Sequence, residues 1–275
     1  SFACETTFLN KSSCFAIVVQ KYKSEIKNEY KLASNPRFLY FYIINAKKMI
    51  ENIISLFFPK VCIGCESLLL SSETVICTLC RHDIPLTHDY INPENEAFRK
   101  FYGKIPVVFV ATLAYYHKTG IVQKMIHGLK YKGHQAVGAV FGDWFAEDLK
   151  TLSILETVDE IIPVPLHPKK LKQRGYNQVA TFGISLSENL QIQYNPMLLK
   201  RNVYSKTQTK KDLLKRTEVN DQVVFEAVFT EKDHHKHFLI IDDVLTTGST
   251  LEACSRALLK IPDAKISIVC MAMSH

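Results

Sequence analysis

The stretch FLIIDDVLTTGSTL, residues 238–251, decides how this chain is read. Phe238, Leu239, Ile240 and Ile241 make a short apolar run that suits a buried strand. Two acids, Asp242 and Asp243, stand at its carboxyl end, where open α/β sheets bind ligands. Thr246, Thr247, Gly248, Ser249 and Thr250 then lead into a helix whose Leu251, Cys254 and Leu258 share one face. A hydroxyl-rich loop at a helix N-terminus offers free backbone N–H groups and the positive end of the helix dipole, and Gly248 permits the tight turn. That loop suits a phosphate. Neighbouring carboxylates can accept hydrogen bonds from both hydroxyls of a ribose, or support a magnesium ion through water. A ribose 5-phosphate would therefore lay its phosphate on residues 246–250 and its diol on Asp242 and Asp243, the expected catalytic pair. The spacings of a P-loop and of a dinucleotide fingerprint are both absent.

Outward from this stretch, short apolar runs alternate with helical stripes. Strands are expected at 107–116, 158–164, 196–199, 223–229, 238–241 and 266–273, and helices at 121–129, from about 134, at 177–190 and at 249–260. Such alternation predicts an α/β fold, a mainly parallel sheet flanked by helices. Residues 84–106, with Pro85, Pro93 and Pro106, suit a linker. Met49 opens a short amphipathic helix that Pro59 ends. Residues 1–48 mix Lys, Asn, Ser and aromatics without period, and are expected to be an N-terminal extension outside the native protein, with Met49 as its start.

Cys62-x2-Cys65 and Cys77-x2-Cys80 are two knuckles whose four sulfurs suit one tetrahedral zinc ion. With every position filled by sulfur the metal is expected to be structural. Two disulfides or idle thiols are the alternatives, and the lack of an export signal disfavours the disulfides. His82 and His88 read as surface residues nearby. Cys254 and Cys270 read as small buried hydrophobes. Cys4 and Cys14 receive no role, nor do His234, His235 and His237, which read as a solvated turn.

Composition excludes a disordered or fibrous chain: 47% of residues are hydrophobic and 22% charged. No apolar run approaches the roughly 18 residues that span a bilayer, so no membrane span and a cytoplasmic location are expected. The net charge of +7 is uneven. Residues 1–48 hold eight Lys/Arg against three Asp/Glu, and residues 167–216 hold eleven against two, a local net of +9. The second cluster points to a polyanionic ligand, although a solvated helix face has the same composition.

The run at 240–250 resembles the phosphoribosyl-pyrophosphate signature of type I phosphoribosyltransferases. More narrowly, the chain from Met49 resembles the ComF family of phosphoribosyltransferase-like competence proteins. The resemblance is carried by Phe58-Pro59 before the cysteine module, LKYKG at 129–133, IPVPLH at 162–167, RGYNQ at 174–178, and TQT at 207–209 ahead of Arg216. It implies a type I phosphoribosyltransferase-like domain over 107–275, preceded by a helix and zinc-ribbon-like module at 49–83. By the same resemblance, residues 165–177 form a pyrophosphate loop bearing Lys169, Lys172 and Arg174, and residues 201–216 a closing loop, here rich in lysine.

Two functions stay open at this point. One is binding of phosphoribosyl pyrophosphate with Mg2+ and transfer of the phosphoribosyl group, as a pentosyl glycosyltransferase. The other is non-catalytic handling of single-stranded DNA with DNA-uptake proteins in natural transformation. A homodimer is compatible with the sequence, which does not specify one.

Overall fold

The computed structural model describes residues 57–203 and 223–274, with a few isolated positions before them. Most of residues 1–56, and with them most of the expected first helix, lie outside the described residues, as do Cys4, Cys14 and 204–222. Contacts divide the chain into two units, Ser1–Lys60 and Val61–His275. The elements named below belong to the second.

Five strands form one parallel sheet: β1 (Phe109–Tyr115), β2 (Glu160–Pro163), β3 (Gln193–Tyr194), β6 (His237–Leu245) and β7 (Lys265–Met273), in the order β1-β7-β6-β2-β3. A separate antiparallel pair joins β4 (Leu199–Val203) to β5 (Val223–Ala227). Of the strand expected at 196–199 only Leu199 belongs to one, β4, because Pro196, Met197 and Leu198 form the turn between β3 and β4. β6, which carries the acids, is central: it pairs with β2 through Ile241 and with β7 as far as Leu245.

Strand alternation sends successive side chains to opposite faces, and two cores result. On one face Ile161, Leu239 and Ile241 pack with α3 (Ile121–Tyr131), α4 (Ala136–Leu149) and α6 (Ala180–Leu190). Met125, Leu129, Phe141, Phe145 and Phe182 fill that core, each fully buried. On the other face Ile162, Phe238 and Ile240 pack with α7 (Ser249–Leu258), Leu199, Phe225 and Phe101. β1 lies at a sheet edge, an exposed template for unwanted pairing. Residues 84–106 cover it: Leu86 bridges Ala114, the Thr87 amide donates to the Leu113 carbonyl at 3.0 Å, and Asn95 Nδ2 donates to the Val110 carbonyl at 2.7 Å. This expected linker thus carries α2 (Glu96–Arg99), with Ala97 and Phe101 wholly buried.

Residues 165–177, expected as a loop, contain a helix, α5 (Pro168–Arg174). Its ends explain it. His167 caps the start by accepting the Lys169 N–H, Pro168 pre-sets the first turn, and Gly175 at φ 78° closes the end. The turn 234–237 is likewise not wholly solvated. His237 belongs to β6 and is 2% exposed, its ring nitrogens 2.8 Å from Thr157 Oγ1 and Ser267 Oγ. Burial, then the charge of Lys265, lowers its pKa.

A candidate ligand site at the end of β6

Asp242 and Asp243 are consecutive in β6 and meet different surroundings. Asp242 lines an open pocket together with Val244, Thr246, Gly248, Ser249, Thr250 and Leu251. Five of these, Thr246 and Gly248 to Leu251, are the loop and first turn of α7, whose leading amides have no partner within the helix. Thr246, Thr247, Ser249 and Thr250 are exposed to solvent, while Gly248 is buried. Gly248 sits at φ 82°, and a Cβ there would stand 3.0 Å from the ring of the fully buried Phe101. Both the backbone angle and the ring beneath demand glycine. The acid in the first turn, Glu252, is paired with Arg256 at 2.9 Å, and Arg256 also donates to the Lys104 carbonyl at 2.8 Å.

Asp243 turns to α3. Its Oδ1 lies 2.9 Å from Lys130 Nζ, an ion pair in which the Asp243 side chain is 7% exposed and that of Lys130 23%. Its Oδ2 is buried and receives no hydrogen bond. A buried carboxylate oxygen without a donor is costly, and such a group marks a place where a ligand, ion or water completes the structure. The Asp243 amide donates to Asp242 Oδ1 at 2.8 Å. Burial, then the neighbouring charge of Asp243, raises the Asp242 pKa, with Lys130 and Arg201 pulling the other way.

The last turn of α3 is held against the segment after α5. The Tyr176 hydroxyl donates to the Leu129 carbonyl, and the Arg174 guanidinium lies over the Tyr131 ring, 5.0 Å from its centroid. Arg174 also donates to Gln178 Oε1 at 2.8 Å. Lys130 lies in sequence between Leu129 and Tyr131, the two residues so clamped.

The cysteine module, which ends in α1 (Thr78–His82), abuts the other end of α3. The sulfurs of Cys62, Cys65, Cys77 and Cys80 all lie within 4.8 Å of one another and could hold a metal ion such as zinc. Backbone amides of Gly64 and Cys77 donate to Cys62 Sγ at 3.3 Å, and that of Cys80 to Cys77 Sγ at 3.4 Å. Such donors favour thiolates, the metal-binding form. The Ser67 hydroxyl beside Cys65 pulls its thiol down to about 6, whereas burial pushes Cys80 up. Four converging sulfurs, three of them buried, therefore fit a cation that would offset their charge. His82 and His88 are exposed and stand outside the cluster.

No family model matches the chain. Competence protein F of Haemophilus influenzae is 31% identical over 121 residues, 44% of this chain and 53% of that protein. DNA utilization protein YhgH of Escherichia coli strain K12 is 25% identical over 230 residues, 78% and 96% of the two chains. Competence protein ComFC of Bacillus subtilis is 25% identical over 205 residues, 73% and 78%. The chain is similar over much of its length to these competence and DNA utilization proteins, which supports the resemblance to the ComF family. A purine phosphoribosyltransferase from Pyrococcus horikoshii aligns over 55% of this chain and 73% of its own, with 21% identity and a TM-score of 0.31. A score that low adds no weight, and the fold rests on the parallel strand order described above.

The ComF reading brings some of the expected site residues together and leaves others apart. Asp242 and residues 246–250 share one pocket. Arg174 joins the clamp beside Lys130. Lys169 and Lys172 are exposed on α5, without an ion-pair partner among the described residues. Of the expected closing loop, Arg201 to Val203 belong to β4, and 204–222 lie outside the described residues. Sequence reasoning gave Lys130 no role, although it quoted the residue within LKYKG. Val122, Ile126 and Lys130 recur every four residues, so Lys130 continues the stripe that α3 turns to the core. Arg201 falls in both the basic cluster and the expected closing loop, neither of which singles it out. Its guanidinium lies 5.5 Å from the Phe225 ring centroid, and its Nε is buried without a hydrogen-bond partner.

Proposed function

We propose that this ComF-like chain binds phosphoribosyl pyrophosphate, or a closely related ribose 5-phosphate, with Mg2+, in the cytoplasm. The observation that carries the reading is the pairing of two features at one strand end. One is a glycine-dependent loop opening a helix; the other is a buried Asp243 oxygen that lacks a donor. On this reading the 5-phosphate takes the amides and hydroxyls of residues 246–250. The ribose diol supplies the missing donor to Asp243 and bonds to Asp242. Arg174 meets the pyrophosphate, with Lys169 and Lys172 adding charge at its edge. Mg2+ bound with the ligand would neutralise pyrophosphate charge. In transfer, the bond from the ribose carbon to pyrophosphate breaks with its electron pair leaving on oxygen, and an acceptor nitrogen supplies the new pair. The acids and the loop contribute orientation and charge complementarity to that step. The cysteines hold a structural zinc ion.

Titration calorimetry of phosphoribosyl pyrophosphate with Mg2+ tests this reading. Micromolar binding by the wild type, lost in Asp242→Asn/Asp243→Asn, is the expected result. A folded, zinc-loaded wild type that takes up no heat would overturn it.

A second reading has its own support. Relatives carry the names competence protein and DNA utilization protein, and α5 exposes Lys169, Lys170 and Lys172 next to the Tyr131–Arg174 stack. Basic residues beside an aromatic suit single-stranded DNA. Binding that weakens steeply with salt and ignores Mg2+ is its signature.

A further inference from the structure

Lys130 offers more than a counter-charge for Asp243. An ammonium has three protons, and Asp243 Oδ1 is its only hydrogen-bond or ion-pair partner among the described residues. Its side chain is 23% exposed, so the remaining protons are neither fully dispersed into solvent nor consumed by the protein. The neighbours on either side, Leu129 and Tyr131, are pinned by Tyr176 and Arg174. That clamp brings the last turn of α3 to the segment bearing Arg174, whose own polar contact is the neutral Gln178 amide. One cation, committed to Asp243 by a single contact, therefore stands beside a carboxylate that still lacks a donor, on a helix turn that Arg174 grips through Tyr131.

We infer that Lys130 is a ligand-binding residue, whose ammonium bridges Asp243 and an anionic oxygen on the pyrophosphate side of the bound sugar phosphate. This rests on the ribose-phosphate reading above and adds a residue to it. The bridge gives the pair a division of labour. Asp243 holds Lys130 in one direction and accepts the ribose hydroxyl on its other oxygen, so sugar and phosphate charge are gripped through one carboxylate. A lysine that merely filled the core edge would need neither the carboxylate nor a wet side.

The alternative is that Lys130 only neutralises a buried acid. Arginine and methionine variants separate the two. Titration calorimetry with Mg2+ and phosphoribosyl pyrophosphate should give at least tenfold weaker binding for Lys130→Met, with Lys130→Arg restoring most of the affinity. Inorganic pyrophosphate used as a second probe should lose affinity in Lys130→Met, whereas ribose 5-phosphate should lose less. If Lys130→Met is too unstable to measure, Lys130→Gln, which keeps a donor to Asp243 without the charge, is measured in its place and should lose the same pyrophosphate affinity. A folded variant of either kind binding both probes as the wild type does overturns the role of Lys130 while leaving the site itself standing. A wild type that binds no sugar phosphate overturns the site, and Lys130 with it.

Discussion

The cysteine module and the end of β6 are both sites built from a few charged or ionisable groups, and they are encoded in opposite ways. In the module every donor comes from nineteen consecutive residues, Cys62 to Cys80, and short turns suffice to bring the sulfurs within 4.8 Å. At the strand end the pair that matters joins Lys130 to Asp243, 113 residues apart. The first site exists wherever its loop folds. The second exists only when α3 lies correctly on the sheet. α3 links the two, because Lys124 Nζ donates to the Gly64 carbonyl at 3.0 Å near its start and Lys130 reaches Asp243 near its end. A locally encoded sulfur cluster thus sits at one end of the helix that completes a site encoded by tertiary structure.

Stripping the module tests that connection and should have the largest effect. Replacing Cys80 with Ser, or chelating the metal, is expected to lower stability by more than about 5 kcal/mol, since a structural zinc contributes folding energy outright. Thermal melting alongside metal analysis reads this out; an unchanged melt in a metal-free protein would separate the module from the fold. Next comes Lys130→Met, which leaves the Asp243 carboxylate buried without a cation. The expected loss is about 2–3 kcal/mol, below the value for a fully buried pair because Lys130 keeps some contact with water. Adding Asp243→Asn should return most of that stability in denaturant melts.

Gly248→Ala probes the local half of the strand-end site. Positive φ and the Phe101 ring together predict a cost of about 1–3 kcal/mol, with sugar-phosphate binding lost; retention of full binding would mean the loop does not hold the phosphate. Asp242→Asn should act in the opposite sense on stability. A folded-state pKa raised to about 8 by burial and by Asp243 means that stability is full below the ordinary carboxylate range and is lost as pH rises from there to the folded-state value. The amide should therefore stabilise the ligand-free protein at neutral pH by roughly 1–2 kcal/mol, while ligand affinity falls. The smallest effect lies far from both sites. His237 is held neutral by burial, so its contribution is complete above the ordinary histidine pKa and declines as pH falls below about 6.5. His237→Gln should flatten that part of the stability profile.

Much of this was legible in the residues. Four apolar positions ahead of two acids located β6, and the Cys-x2-Cys spacing located the sulfur cluster, because both patterns are short and local. What escaped was whatever depends on a distant partner. Asp242 and Asp243 read as a side-by-side pair, yet one lines the α7 pocket and the other bonds Lys130 of α3, since strand alternation outweighs adjacency in sequence. Prolines at 85, 93 and 106 suggested a linker, but proline does not report that Phe101 and Ala97 are buried or that Asn95 covers the β1 edge. His237 sat among polar neighbours and still joined the sheet, where Thr157 and Ser267 meet its ring from other strands and turns. α5 was hidden by its basic composition, and only its caps, His167 and Gly175, reveal it.

The most direct test is a crystal structure of the zinc-loaded protein grown with phosphoribosyl pyrophosphate and Mg2+. The account predicts the 5-phosphate on the amides of residues 246–250 and a ribose hydroxyl on Asp243 Oδ2. Sugar phosphate bound elsewhere, with Asp243 Oδ2 still lacking a donor, would contradict it.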